Sequence, residues 1–189
     1  MVFSFSVDGL EASLGVGYYI LVYAVGAMAM ALSVFAYQMK RRVSIILGTL
    51  FGQICWVLHF LLQGDLTSAV ACALTAIMLA VYTKRDSWNF VKSKWCIVAF
   101  ILLISGFSIL SFAVWSDIFP VLAGIFAVIA NSRSNEKSLR LYSLLFCAFW
   151  LLNSIFKLYP IALANDAFCV ISAAVSLYRY RKDPSPSTN

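Results

Sequence analysis

The run Leu14–Tyr37 contains no charged residue, and six more apolar runs follow it along the chain. A segment of this length and polarity satisfies its backbone in lipid only by becoming a helix. The runs are Leu14–Tyr37, Val43–Leu62, Leu66–Thr83, Trp95–Val114, Ile118–Ser132, Leu141–Phe156 and Pro160–Tyr178, separated by short segments that hold almost all of the charge. Only 12% of the 189 residues are charged and 62% are hydrophobic, with a mean hydropathy of +0.90. A soluble domain carries roughly 25% charged residues, so this chain lacks the polar surface to remain in water. The expected fold class is an all-α integral membrane protein forming one membrane domain over residues 1–189.

The net charge of +6 is explained by loop bias rather than by nucleic-acid binding. The segments after the first, third, fifth and seventh runs hold thirteen of the fourteen Lys and Arg residues; Lys157 alone lies on the other side. The positive-inside rule then puts the N-terminus outside and the C-terminus in the cytoplasm, which requires an odd number of spans. Asp8, Glu11, Asp65 and Asp117 are expected to face outward. Met1–Ser13 lacks the basic start of a cleaved signal peptide, so the first run reads as a retained span. The tail 179–189 is read as cytoplasmic.

A weak duplication runs through the pattern. Trp56-Val57-Leu58-His59 resembles Trp150-Leu151-Leu152-Asn153 at an offset of 94 residues. The same offset lays the first run on the fifth and the third on the seventh, leaving the fourth unmatched. The expected layout is a three-helix bundle over 14–83, a linker helix over 95–114 and a second three-helix bundle over 118–178. An odd linker span gives both bundles the same orientation, so the repeat is parallel, a known transporter plan with its site at the repeat interface.

Asp166 follows Asn165 inside the seventh run. A carboxylate in hydrocarbon is costly and by default marks a functional site. Either it lines a translocation pocket, or it is an outer-rim carboxylate held by Asn, Tyr or Lys157. Consecutive helical residues point about 100° apart, so one of Asn165 and Asp166 is expected to face a cavity squarely. Trp56 and His59 share a helix face; Trp offers a flat apolar surface for stacking, and His59 is the one histidine. Packing is the competing account for Trp56 and Trp150, and inter-helix hydrogen bonding for His59 and Asn153. Gly48 and Gly52 form a GxxxG, read as close helix packing. The five cysteines all fall inside the runs and read as small apolar side chains. No metal-ligand spacing, phosphate loop or nucleophile motif occurs in the chain, so no enzyme, no metal and no cofactor is expected.

Seven spans in a three-plus-one-plus-three layout resemble the SWEET sugar facilitators and the wider PQ-loop group. A closer resemblance is to the YgjV family of bacterial inner-membrane proteins. It is carried by His59-Phe60-Leu61-Leu62-Gln63-Gly64, by Trp150 with Asp166 sixteen positions later, and by Tyr178-Arg179-Tyr180-Arg181, and it covers about Phe35 to Lys182. The SWEET resemblance implies a pocket lined by Trp56, Trp150 and Asn165 or Asp166, with hinges at Pro120 and Gly26. Ala71 and Cys72 stand at the matching place in the first bundle, so the polar half of that pocket is one-sided. The Pro-Gln dipeptide of the PQ-loop group is absent.

The expected function is a small-solute membrane transporter, passive or proton-linked, moving a sugar or similar polar solute by alternating access. The alternative is a ligand-binding membrane receptor or accessory subunit of the same fold. The substrate-binding candidates are Trp56, His59, Trp150, Asn153, Asn165 and Asp166. The expected partners are the lipid bilayer and a small polar solute, with homo-oligomerisation left open and no nucleic acid. The expected location is the bacterial inner membrane, as a multi-pass protein.

Overall fold

A computed structural model describes residues 8–38, 42–84, 88–133 and 136–182. Lys40, Arg41, Arg85, Asp86 and the tail beyond Lys182 lie outside the described residues. The described residues form α-helices joined by short turns: α1 (Asp8–Leu14), α2 (Val16–Gln38), α3 (Arg42–Leu62), α4 (Leu66–Tyr82), α5 (Asn89–Lys92), α6 (Lys94–Leu110), α7 (Ile118–Ser132), α8 (Glu136–Lys157) and α9 (Pro160–Lys182). A single 3₁₀ turn, Trp115–Asp117, leads into α7.

Helix limits differ from the charge-delimited runs where backbone bonding outlasts the apolar stretch. Thus α8 begins at Glu136, ahead of the expected Leu141, and α9 continues through the basic cluster to Lys182. The linker helix is shorter than expected. It ends at Leu110 because the Asp117 carboxylate takes the amides of Ala113 and Val114 at 2.7 and 3.0 Å, bending the chain toward α7. Ser93 starts α6 as an N-cap, accepting from the Trp95 amide. Gly15, at φ 51°, separates α1 from α2 in a backbone region that glycine enters without strain.

The packing order follows the chain. α3 packs on both α2 and α4, and α8 packs on both α7 and α9. Contacts of α4 with α7 and of α2 with α9 close these two triplets into a ring, and α6 fills the outer seam against α4 and α7. Small residues permit the close approaches. A Cβ on Gly124 of α7 would stand 2.6 Å from Cγ2 of Ile104 on α6. Gly52 of the GxxxG lets α3 approach Ser33 and the Ala29 carbonyl of α2. Ala71 and Ala123 are fully enclosed in the central core, on α4 and α7.

The α3–α4 and α8–α9 turns are built alike. Asp65 N–H donates to the Phe60 carbonyl at 2.9 Å, and Tyr159 N–H donates to the Ser154 carbonyl at 3.2 Å. Gly64 and Leu158 donate to Leu61 and Ile155 in the same way, and both have positive φ, 72° and 55°. This is the pattern of a helix ending in a left-handed residue, which glycine normally supplies; Leu158 adopts it despite its Cβ.

Among the described residues two stretches, Val16–Ala36 and Trp115–Ser132, are long and apolar enough by themselves to cross a membrane; Leu47–Leu62, Leu66–Tyr82, Lys94–Leu110 and Pro160–Val175 are apolar but shorter. The outward surface is apolar: Ile20, Phe35, Leu102, Leu110 and Ile171 are all exposed. A contiguous surface of that kind is one that lipid or protein covers.

Candidate functional site

A cavity of about 60 Å³ lies between the triplets. α3 contributes Gln53, Trp56 and Phe60 to its wall, α4 contributes Cys72, α8 contributes Cys147 and Trp150, and α9 contributes Asn165 and Asp166. Its polar end is built on α9. Asp166 is 8% exposed and Asn165 5%. The Ser154 hydroxyl donates to Asp166 Oδ2 at 2.5 Å and Asn165 Nδ2 donates to Asp166 Oδ1 at 3.2 Å. The first distance lies in the range of a charge-assisted O–H···O⁻ bond. Among the described residues, no ion pair reaches Asp166.

Asn165 and Asp166 both line the cavity, where a 100° step was expected to admit only one. The hydrogen bond between their side chains draws the two together. Cys72 of α4 also lines the cavity.

Trp56 and Trp150 face one another across the site, but Phe60 fills the space between them. Its ring stacks on Trp56 at 5.8 Å and on Trp150 at 5.6 Å, with interplanar angles of 27° and 13°. Each indole therefore has one face covered by protein. The Trp56 indole N–H donates to Ser33 Oγ at 3.3 Å. In the sequence Phe60 stands out only within the motif His59–Gly64; nothing in an aromatic-rich chain marks it as the middle of a stack.

His59 and Asn153 lie outside the cavity wall. His59 Nδ1 stands 3.0 Å from the Val22 carbonyl on α2, so Nδ1 carries the proton, and the ring packs edge-on against Trp56. Asn153 Nδ2 donates to Ser68 Oγ at 3.2 Å, joining α8 to α4. Both act as cross-links between helices. The hinge candidates also have packing accounts. Gly26 leaves room for the His59 ring, which a Cβ would meet at 2.8 Å, and α2 runs through it unbroken. Pro120 sits in the first turn of α7, where its missing N–H leaves no helical bond unmade.

A second polar group closes the end of the ring where the two similar turns meet. Lys157 Nζ lies 2.7 Å from Asp65 Oδ2 and 2.6 Å from Asp117 Oδ1. The three side chains are 11%, 3% and 2% exposed. Asp65 also caps α4 through the Ser68 amide at 3.0 Å, and Thr67 donates to the Ser111 carbonyl at 2.6 Å. The Tyr159 phenol beside them is pushed above its usual pKa by burial and then by the Asp65 carboxylate, so it stays neutral. Lys157 therefore does not hold Asp166, the rim arrangement considered from sequence. The signal for this cluster was the one basic residue on a side holding several acids, but its partners come from three separate turns.

An all-helical fold with an apolar outer surface is consistent with a membrane protein, and comparison with known proteins agrees. A family model described as bacterial inner membrane protein matches residues 20–184. The chain belongs to that family, Imp-YgjV. No curated protein and no solved structure matches the chain.

Proposed function

We propose that the protein is a multi-pass carrier of a small polar solute, passive or proton-linked, working by alternating access. The observation that carries this reading is the cavity itself. It lies between two helix triplets, and residues of both triplets line it together with a buried carboxylate that no cation among the described residues pairs with. A carboxylate placed at such cost, in a wall shared by two bodies able to move against each other, suits solute passage.

In this reading α2, α3, α4, α6, α7, α8 and α9 each span the bilayer, with the N-terminus outside and the C-terminus in the cytoplasm. A 17-residue helix such as α4 is ~26 Å long, somewhat short of the ~30 Å hydrocarbon core, a mismatch that bilayers accommodate at modest cost. A parallel repeat, α2–α4 and α7–α9 about the linker α6, is supported by three features. Helices α4 and α9 begin at residues 66 and 160, an offset of 94. The two turns share their bonds and their positive-φ residue at that offset. The packing order of one triplet is also that of the other.

The Lys157 cluster then lies at the outer end and ties the first triplet to the second and to the linker. The cavity wall runs from Asp166 toward Thr49 and Ser33, away from that end. Such an arrangement fits a carrier closed outside, and breaking the cluster would be part of opening it. The link to sugar carriers of the SWEET and PQ-loop type rests on this arrangement alone, a fold-level analogy.

Solute counterflow in liposomes tests the proposal. Vesicles holding the purified protein and an unlabelled monosaccharide, nucleoside or small amine should accumulate the labelled form of at least one of them. Asp166→Ala should lower that rate at least tenfold. Wild-type accumulation no faster than in protein-free vesicles, or an Asp166→Ala rate equal to wild type, contradicts the carrier reading.

A further inference from the structure

Two residues of the cavity wall each carry a buried side-chain oxygen with no hydrogen-bond partner among the described residues. Asn165 Nδ2 is committed to the Asp166 carboxylate, since two acceptors cannot face each other. That fixes the orientation of the amide and turns Asn165 Oδ1 away from Asp166. This oxygen is buried without a hydrogen-bond partner, on a residue only 5% exposed. Gln53 Oε1, on the opposite triplet, is likewise buried and unpartnered. Unmet acceptors at such depth are costly, and native proteins rarely keep them without a use.

Charge points the same way. Asp166 has two neutral donors, Ser154 and Asn165, and the ammonium of Lys157 is held by Asp65 and Asp117. The cavity wall thus holds a carboxyl able to carry negative charge, residues with unpartnered acceptor oxygens from both triplets, and the indoles of Trp56 and Trp150. A ligand matching this wall offers several N–H donors and a positive charge; aromatic faces favour a cation further. The water-accessible space is small, about 60 Å³, which favours a compact ligand.

We propose that the cavity binds a small organic ammonium ion, with Asp166 as counter-charge and Asn165 Oδ1 and Gln53 Oε1 as hydrogen-bond acceptors. This names the solute class for the carrier reading and rests on that reading only for its transport consequence. Binding in the absence of counterflow would sink the carrier and leave this site standing; counterflow of a sugar alone would do the reverse.

The test is ligand-dependent thermal unfolding of the purified full chain in detergent, followed by tryptophan fluorescence. A ligand of the folded state raises the midpoint in a saturable way. The probe is ethylammonium chloride, with sodium chloride at equal ionic strength and glucose as controls. The expected result is a saturable rise with ethylammonium alone, with affinity at least tenfold weaker in Asp166→Asn and severalfold weaker in Gln53→Leu. Gln53→Leu retains the carboxylate, and so keeps the test decisive if Asp166→Asn does not fold. A rise with sodium chloride or glucose equal to that with ethylammonium overturns the proposal. So does no rise with any probe, or unchanged affinity in the folded variants.

Discussion

Lys157→Met is expected to destabilise the protein by about 3–5 kcal/mol, the cost of removing one partner from a buried ion pair. The variant leaves Asp65 and Asp117 charged, each with side-chain exposure of 3% or less. Methionine matches the length of the lysine stem but offers nothing to either carboxylate. The loss is specific to the stranded charge, so it should be recovered in large part by adding Asp65→Asn and Asp117→Asn. Asparagine at 65 keeps an oxygen for the Ser68 amide, and at 117 keeps one for Ala113 and Val114. Unfolding by denaturing detergent in mixed micelles measures each variant. A Lys157→Met loss below 1 kcal/mol, or no recovery in the triple variant, would show that the cluster does not hold the triplets together.

Phe60→Ala is expected to cost a similar amount, about 3–5 kcal/mol, as buried aromatic truncations do. Phe60 is 2% exposed and meets Trp56, Trp150, His59 and Tyr159. Its ring joins the two tryptophans of the separate triplets into one stack, so its removal loosens the contact between them and leaves a cavity that neighbours fill only in part. Phe60→Leu should cost clearly less, since it keeps most of the volume. Because Phe60 also lines the cavity, Phe60→Ala should widen it and expose the inner faces of both indoles. A blue-to-red change in tryptophan emission together with the stability loss is the expected signature; a variant as stable as wild type would mean the stack is decorative.

The all-helical build was legible because apolar runs without charge leave the backbone one solution in lipid. Charges located the turns well and the helix ends poorly: α8 and α9 run on through charged residues because main-chain bonding does not stop at a side chain. Asp166 was legible as an anomaly of cost, and Trp56 and Trp150 as a pair 94 residues apart. What filled the space between them was not, because Phe60 is one apolar letter among many and its position depends on how two helices cross. His59 and Asn153 looked like site residues because polar side chains are scarce; in the fold one nitrogen of each is engaged between helices, His59 Nδ1 by the Val22 carbonyl and Asn153 Nδ2 by the Ser68 hydroxyl. The Lys157 cluster depends on pairings across 92 and 40 residues, which one sequence does not encode locally. Nor does any local signal announce the left-handed backbone at Leu158.

The central claim is that the cavity between the triplets opens in turn to both sides of the membrane. Gln53→Cys, in a chain whose five native cysteines are replaced by alanine, tests it most directly. Sealed vesicles of known orientation are exposed to a membrane-impermeant maleimide added to one face at a time. The expected result is modification from the cytoplasmic face in the resting protein, and from the outer face when Lys157→Met is added to unlock that end. Modification from neither face, or from the cytoplasmic face alone in both proteins, would contradict it.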